Sequence, residues 1–139
     1  MGNYREINHD ADLGLEVSGA DLADLFGTAA AGAFSLFIEE GGGGGKSDES
    51  YQLELEAPTA EDLLVSFLSE LVYHFDSLGV LPQDIRIDSI SEQTLKATVR
   101  GRLFNARDRL LLEIKNVTYH NLKIEPGTTG LKATIIFDV

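Results

Sequence analysis

Polar and apolar positions alternate along "DLGLEVSG", where Leu13, Leu15 and Val17 point one way and Asp12, Gly14 and Glu16 the other. A period of two marks a half-buried strand and sets Asp12 on its outer face. From Asp21 to about Glu39 the period lengthens to that of a helix, with Leu22, Leu25, Phe26, Ala29, Ala33, Leu36 and Phe37 on one stripe. Ser18 and Asp21 offer a loose capping box at its start. A second helix is written more plainly in "APTAEDLLVSFLSELVYHFDSLGV". Thr59 is placed to cap it, Asp62 to reach back, Pro58 fixes the approach and Gly79 marks the exit. Its apolar stripe is Leu64, Phe67, Leu68, Leu71, Phe75 and Leu78.

Past Pro82 the pattern is strand throughout. "DIRIDSI" and "TLKATVRGRL" read as a hairpin, with Leu95, Ala97, Val99 and Leu103 inward and Lys96, Thr98, Arg100 and Arg102 outward. "LFNARDR" is a polar connection. "LLLEIKNVTYHNLKIE" predicts a long strand, or one bent near Tyr119 to Asn121. In the closing "LKATIIFDV", Leu131, Ala133, Ile135 and Phe137 share a face, which leaves Asp138 on the other. The order β-α-β-α-β-β-β-β predicts a single α+β domain over residues 1–139, two amphipathic helices packed on an antiparallel-rich or mixed β-sheet. Between the first helix and the strand "YQLELEA", residues 40–49 predict a flexible loop, because five successive glycines carry no side chain to bury. Gly45, Lys46 and Ser47 imitate the end of a phosphate-cradling loop. A helix precedes them and a strand follows, the reverse of the order such a loop requires.

Composition narrows the chemistry. There is no cysteine, hence no disulfide, thiolate metal site or cysteine nucleophile. No apolar run approaches the roughly 18 to 20 residues of a membrane helix, and the first residues lack a signal-peptide core, so a soluble, cytoplasmic protein is expected. Eleven Lys and Arg against 23 Asp and Glu give a formal charge of −12. Such a field repels phosphate backbones and disfavours direct nucleic-acid binding. A basic partner is one reading of the charge, and solubility alone is the other.

Parity draws attention to the two ends of the chain. Asp12 opens the first long strand on its outer face and Asp138 closes the last strand on its outer face. If those strands are neighbours, their carboxylates and the carboxylate of Val139 converge, an arrangement that calls for a cation or for protonation. Oxygen donors select a hard ion, Ca²⁺ or Mg²⁺, over Zn²⁺; the alternative is that these acids lie apart in water. Asp10 either assists or is solvated. His9 and His120 are placed to flank such a site or to serve as ordinary hydrogen-bonded histidines, and His74 is expected at a boundary position without a role. Glu113 and Lys115 share a strand face, as an ion pair or as exposed charges. Neither a "GxSxG" elbow nor an "HExxH" motif is present, so an autonomous enzyme is not expected.

These residues also carry a resemblance. "HDADLGLEVSGADLADLFGTAAAGAFSLF" resembles the opening of the archease family; "DLLVSFLSELVYHFD" is similar to its second helix, "EIKNVTYHNL" to its "EIKAVTYH" segment and "IIFDV" to its C-terminal signature. The resemblance implies a non-catalytic accessory protein of the GTP-dependent tRNA-splicing RNA ligase, promoting guanylylation of that enzyme and its multiple turnover. RNA would be met only through the ligase. It further implies a metal, commonly Ca²⁺, held at Asp12, Asp138 and Val139, the positions that parity also selects. A chaperone-like modulator of a tRNA-modifying methyltransferase is the second function it implies. Departures from the family pattern fall at Asp10, often Thr, at Arg102, often Glu, and at Asp108, often His.

Overall fold

The computed structural model describes residues 2–9, 12–41, 48–119 and 121–139. Most of the loop expected over 40–49, the Gly45–Ser47 imitation, Asp10 and the side chains of His9 and His120 lie outside the described residues. In chain order the elements are β1 (Asn3–His9), β2 (Asp12–Gly19), α1 (Leu22–Phe37), β3 (Ile38–Glu39), β4 (Glu49–Glu56) and α2 (Ala60–Leu78). They continue with β5 (Val80–Ile90), β6 (Thr94–Leu103), β7 (Arg109–Leu110), β8 (Asn116–Thr118), β9 (Glu125–Pro126) and β10 (Leu131–Asp138).

Three sheets form among the described residues, all with antiparallel pairing. The largest runs β1-β2-β10-β8, with β9 also on β10; a second runs β4-β6-β5; and β3 pairs with β7. Leu13, Leu15 and Val17 of β2 and Ala133, Ile135 and Phe137 of β10 are buried, as alternation requires. Both helices touch both larger sheets, so one apolar cluster joins all the layers into an α+β domain. Phe137 meets Phe37 edge-on at 5.3 Å and Phe26 meets Phe67 at 5.5 Å, which ties helices and sheets at the centre.

Both helices carry capping chemistry. At α1 the cap is Asp21, not Ser18: its carboxylate accepts the Asp24 N–H at 2.9 Å, while Asp24 reaches back to the Ala20 N–H at 2.8 Å. At α2, Thr59 accepts the Asp62 N–H at 3.1 Å, and Gly79 closes the helix at φ 71°, a left-handed conformation that favours glycine.

Several expectations need correction. β1 has no counterpart in the predicted order, because "NYREINH" has too few apolar residues to show a period. The predicted long strand breaks up: residues 111–115 form no strand, and the N–H groups of Leu111 and Leu112 go instead to the Phe37 carbonyl. The bend does fall at Tyr119 to Asn121, where Leu122 N–H reaches the Tyr119 carbonyl and Asn121 has φ 51°. Leu78 and Leu103, expected inside, are 61% and 53% exposed, since each lies at the end of its element, past the covering layer. Arg102 keeps its outward parity yet is only 4% exposed, because the 104–108 connection folds back over it.

Candidate metal centre

The register decides what meets at the end of the main sheet. β2 and β10 pair from Gly19 opposite Leu131 to Leu13 opposite Phe137, and one further step sets Asp12 opposite Asp138. On the flanks, His9 is opposite Asp12 and Asn116 is opposite Asp138. One row thus crosses four strands: His9, Asp12, Asp138, Asn116. Opposed residues of an antiparallel pair have Cα atoms about 4.5–5.5 Å apart and share a face. Asp12 and Asp138, far apart in the chain, are therefore neighbours on the outer face, and both are half-buried. The Asp138 carbonyl accepts the Lys115 N–H at 2.8 Å, and the partly buried Val139 side chain packs on the core; together they fix this end of β10.

Like charges facing each other across a strand pair repel, and a hard cation relieves that repulsion by taking both carboxylates as oxygen ligands. The two aspartates fit Ca²⁺ or Mg²⁺ in donor chemistry. Among the described residues no three His, Cys, Asp or Glu side chains gather into a cation site. The third donor of the sequence-based expectation is Val139, the residue next to Asp138. Asn116 joins this row as an amide donor and acceptor that parity alone did not single out, because β8 has only three residues in which to show a period.

A second acidic cluster, absent from the sequence-based expectations, lies at the far end of β6. Arg102 donates to both carboxylate oxygens of Asp108 at 2.8 Å and to Glu40 at 3.0 Å. Asp108, whose side chain is fully enclosed, also accepts the N–H groups of Asn105 at 2.9 Å and Gly41 at 3.0 Å. The Arg102 guanidinium, assisted by these two N–H groups and opposed by burial, holds the Asp108 carboxyl well below the usual carboxylate range. Its work is structural: it pins the 104–108 connection and the residue that begins the glycine run to the sheet. Asp108 and Arg102, two of the departures from the family pattern, are thus partners of each other. His74 stacks on Tyr51 with ring centroids 3.8 Å apart, a packing role consistent with a boundary position.

The comparisons with known proteins bear on the whole of this arrangement. The Archease protein family (MTH1598/TM1083) matches residues 4–139. The chain belongs to the archease family. Similar relatives include Protein archease of Archaeoglobus fulgidus, 30% identical over 138 residues and covering 98% of each chain. Protein archease of Methanosarcina barkeri is 30% identical over 141 residues, covering 98% of this chain and 95% of that one. Two solved structures share the archease fold at 24% identity. They are the solution structure of protein 1598 of Methanobacterium thermoautotrophicum (TM-score 0.75, 98% of each chain) and the crystal structure of a Thermotoga maritima archease described as a possible chaperone (TM-score 0.67, 97% of this chain and 96% of that one). No helix among the described residues of this archease is long and apolar enough to cross a membrane.

Proposed function

We propose that this archease acts in the cytoplasm as a non-catalytic activator of the GTP-dependent tRNA-splicing RNA ligase, promoting guanylylation of that enzyme and its repeated turnover in tRNA splicing and RNA repair. Family membership over residues 4–139 is the observation that carries the reading. The net charge of −12 supports a protein partner with a basic surface and contact with RNA only through it. In this reading Asp12, Asp138 and Val139 hold one hard divalent cation, Ca²⁺ or Mg²⁺. Such an ion, when bound, orients phosphate oxygens and screens their charge. The chain's own part is to keep two carboxylates side by side on a rigid sheet row, so that little ordering remains to be done on binding.

The test is multiple-turnover RNA ligation by purified ligase with wild-type, Asp12→Ala or Asp138→Ala protein. Each substitution is expected to reduce stimulation by at least tenfold while leaving the fold intact. Full stimulation by both variants would remove the metal from the mechanism.

A second reading follows from the Thermotoga protein described as a possible chaperone: protection of a partner such as a tRNA-modifying methyltransferase from aggregation. Light scattering of a heated methyltransferase separates the two. Protection that Asp138→Ala and a chelator leave unchanged favours the chaperone.

A further inference from the structure

We propose that a groove between α1 and β5 is a docking site for an extended, basic segment of a protein partner, seated as an added strand on the free edge of β5. This site is separate from the carboxylate row. It adjoins the Tyr4 end of β1, whereas the row adjoins the His9 end.

The groove, of about 790 Å³, has α1 as its floor and β5 as one wall. Two glycines of α1 differ in why they are there, and only Gly27 lines the groove. A Cβ on Gly32 would lie 2.7 Å from the Tyr4 ring, so packing demands a glycine there. At Gly27 a Cβ would meet nothing within 4 Å. Glycine within a helix is destabilising relative to alanine, and no neighbour among the described residues requires it at this position. What Gly27 leaves is room above the floor, bordered by Ile85 and Ile87. Those two side chains lie opposite Val99 and Ala97 in the sheet and stay only half-covered.

The wall supplies unused main chain. β5 pairs with β6 on one side and with no other strand among the described residues. Irregularities between Pro82 and Asp84 and between Ile87 and Ser89 blunt its two ends, as edge strands commonly are blunted, and leave Asp84–Ile87 as the regular stretch. An exposed edge of this kind takes an extended peptide through backbone hydrogen bonds, with pockets for alternate side chains giving selectivity. A helix would offer β5 no such bonds.

Charge sets the chemistry of the occupant. Asp24, Glu40 and Asp84 line the groove, and no Lys, Arg or His does so among the described residues. Arg102 behind Glu40 is shared with Asp108, which leaves that trio with one net negative charge. The nearby Arg86 is engaged by Asp88 at 2.7 Å. Phosphorylated ligands and anionic membranes are repelled, while a strand alternating an apolar residue over Gly27 with Lys or Arg toward the rim is matched.

A capped ten-residue peptide of alternating Val and Lys is the probe, with its Val–Glu counterpart as control. Titration into isotopically labelled full-length protein is expected to shift the amides of Gly27 and Asp84–Ile87. Gly27→Ala should bind within twofold of wild type and melt at higher temperature. Gly27→Leu, which extends a side chain into the space that a Cβ there would find open, and Asp84→Lys should each weaken binding at least tenfold. Asp138→Ala should bind as wild type does, which separates this result from the fate of the metal site. Equal binding of the Val–Glu peptide, undiminished binding by Gly27→Leu, or shifts confined to other surfaces would overturn the proposal. A dimer in sedimentation that Gly27→Leu dissolves would assign the groove to a second copy of this chain, and would overturn it too.

Discussion

Two acidic places in this molecule handle the same problem in opposite ways. At the end of β6, Asp108 and Glu40 take their countercharge from Arg102, and the N–H groups of Asn105 and Gly41 add to the bonds of Asp108. At the end of β2 and β10, Asp12 and Asp138 are brought together by register on an outer face, both of them half-buried. The first arrangement is complete once the chain has folded. The second, in the proposed reading, is completed by something the cell supplies. Burial makes the difference: an enclosed guanidinium must be paired within the fold, whereas half-covered carboxylates keep contact with solvent.

The largest effect is expected at the closed cluster. Asp108→Ala leaves a buried Arg102 with Glu40 as its remaining carboxylate and should cost about 3 kcal/mol in urea unfolding, whereas replacing Arg102 and Asp108 together by apolar residues of similar volume should recover most of that loss. The same contact sets a pH dependence. Folded Asp108 binds its proton less readily than it does in the unfolded chain, so its contribution is complete above about pH 5 and drains away as the pH falls toward the depressed folded value. Wild type should therefore lose stability more steeply below pH 5 than Asp108→Asn does; parallel profiles would show that the pair does not hold this end of the sheet.

At the open pair the expected effect depends on the ion. Calcium at about a hundredfold its dissociation constant should stabilise the wild type by roughly 2.7 kcal/mol, and Asp138→Ala by almost nothing. A thermal melt with and without chelator reads this directly. The smallest effect tests whether exposure, not charge alone, governs the contrast. Arg5 and Glu16 form a 3.1 Å ion pair on the surface, with side chains 69% and 48% exposed. Arg5→Ala should cost no more than about 1 kcal/mol, and less still in 1 M salt.

What the sequence discloses follows the range of its signals. Strand parity is local, and it put Asp12 and Asp138 on outer faces without knowledge of which strands adjoin; the structure adds the register that makes them neighbours. Thr59 and Gly79 were legible because caps act within one turn. Arg102 was not, since its burial depends on Glu40, distant in sequence, and on a connection whose polar letters conceal an enclosed Asp108. β1 is not legible in the sequence because its pairing to β2 is made by backbone groups, while Arg5 and Glu6 face water. Gly27 and Gly32 are the same letter on the same helix, and only three-dimensional context separates the one that packing requires from the one it does not.

The position of β10 between β2 and β8 also governs how the molecule is made. A ribosome delivers β2 well before β10, with two helices and seven other strands between them, an interval on the order of ten seconds at typical elongation rates. Until then the apolar face of β2 has neither its central neighbour nor Phe137 over Phe37. The nascent chain thus carries an unfinished sheet throughout that interval, and the step that seals the core is the same one that first sets Asp138 beside Asp12.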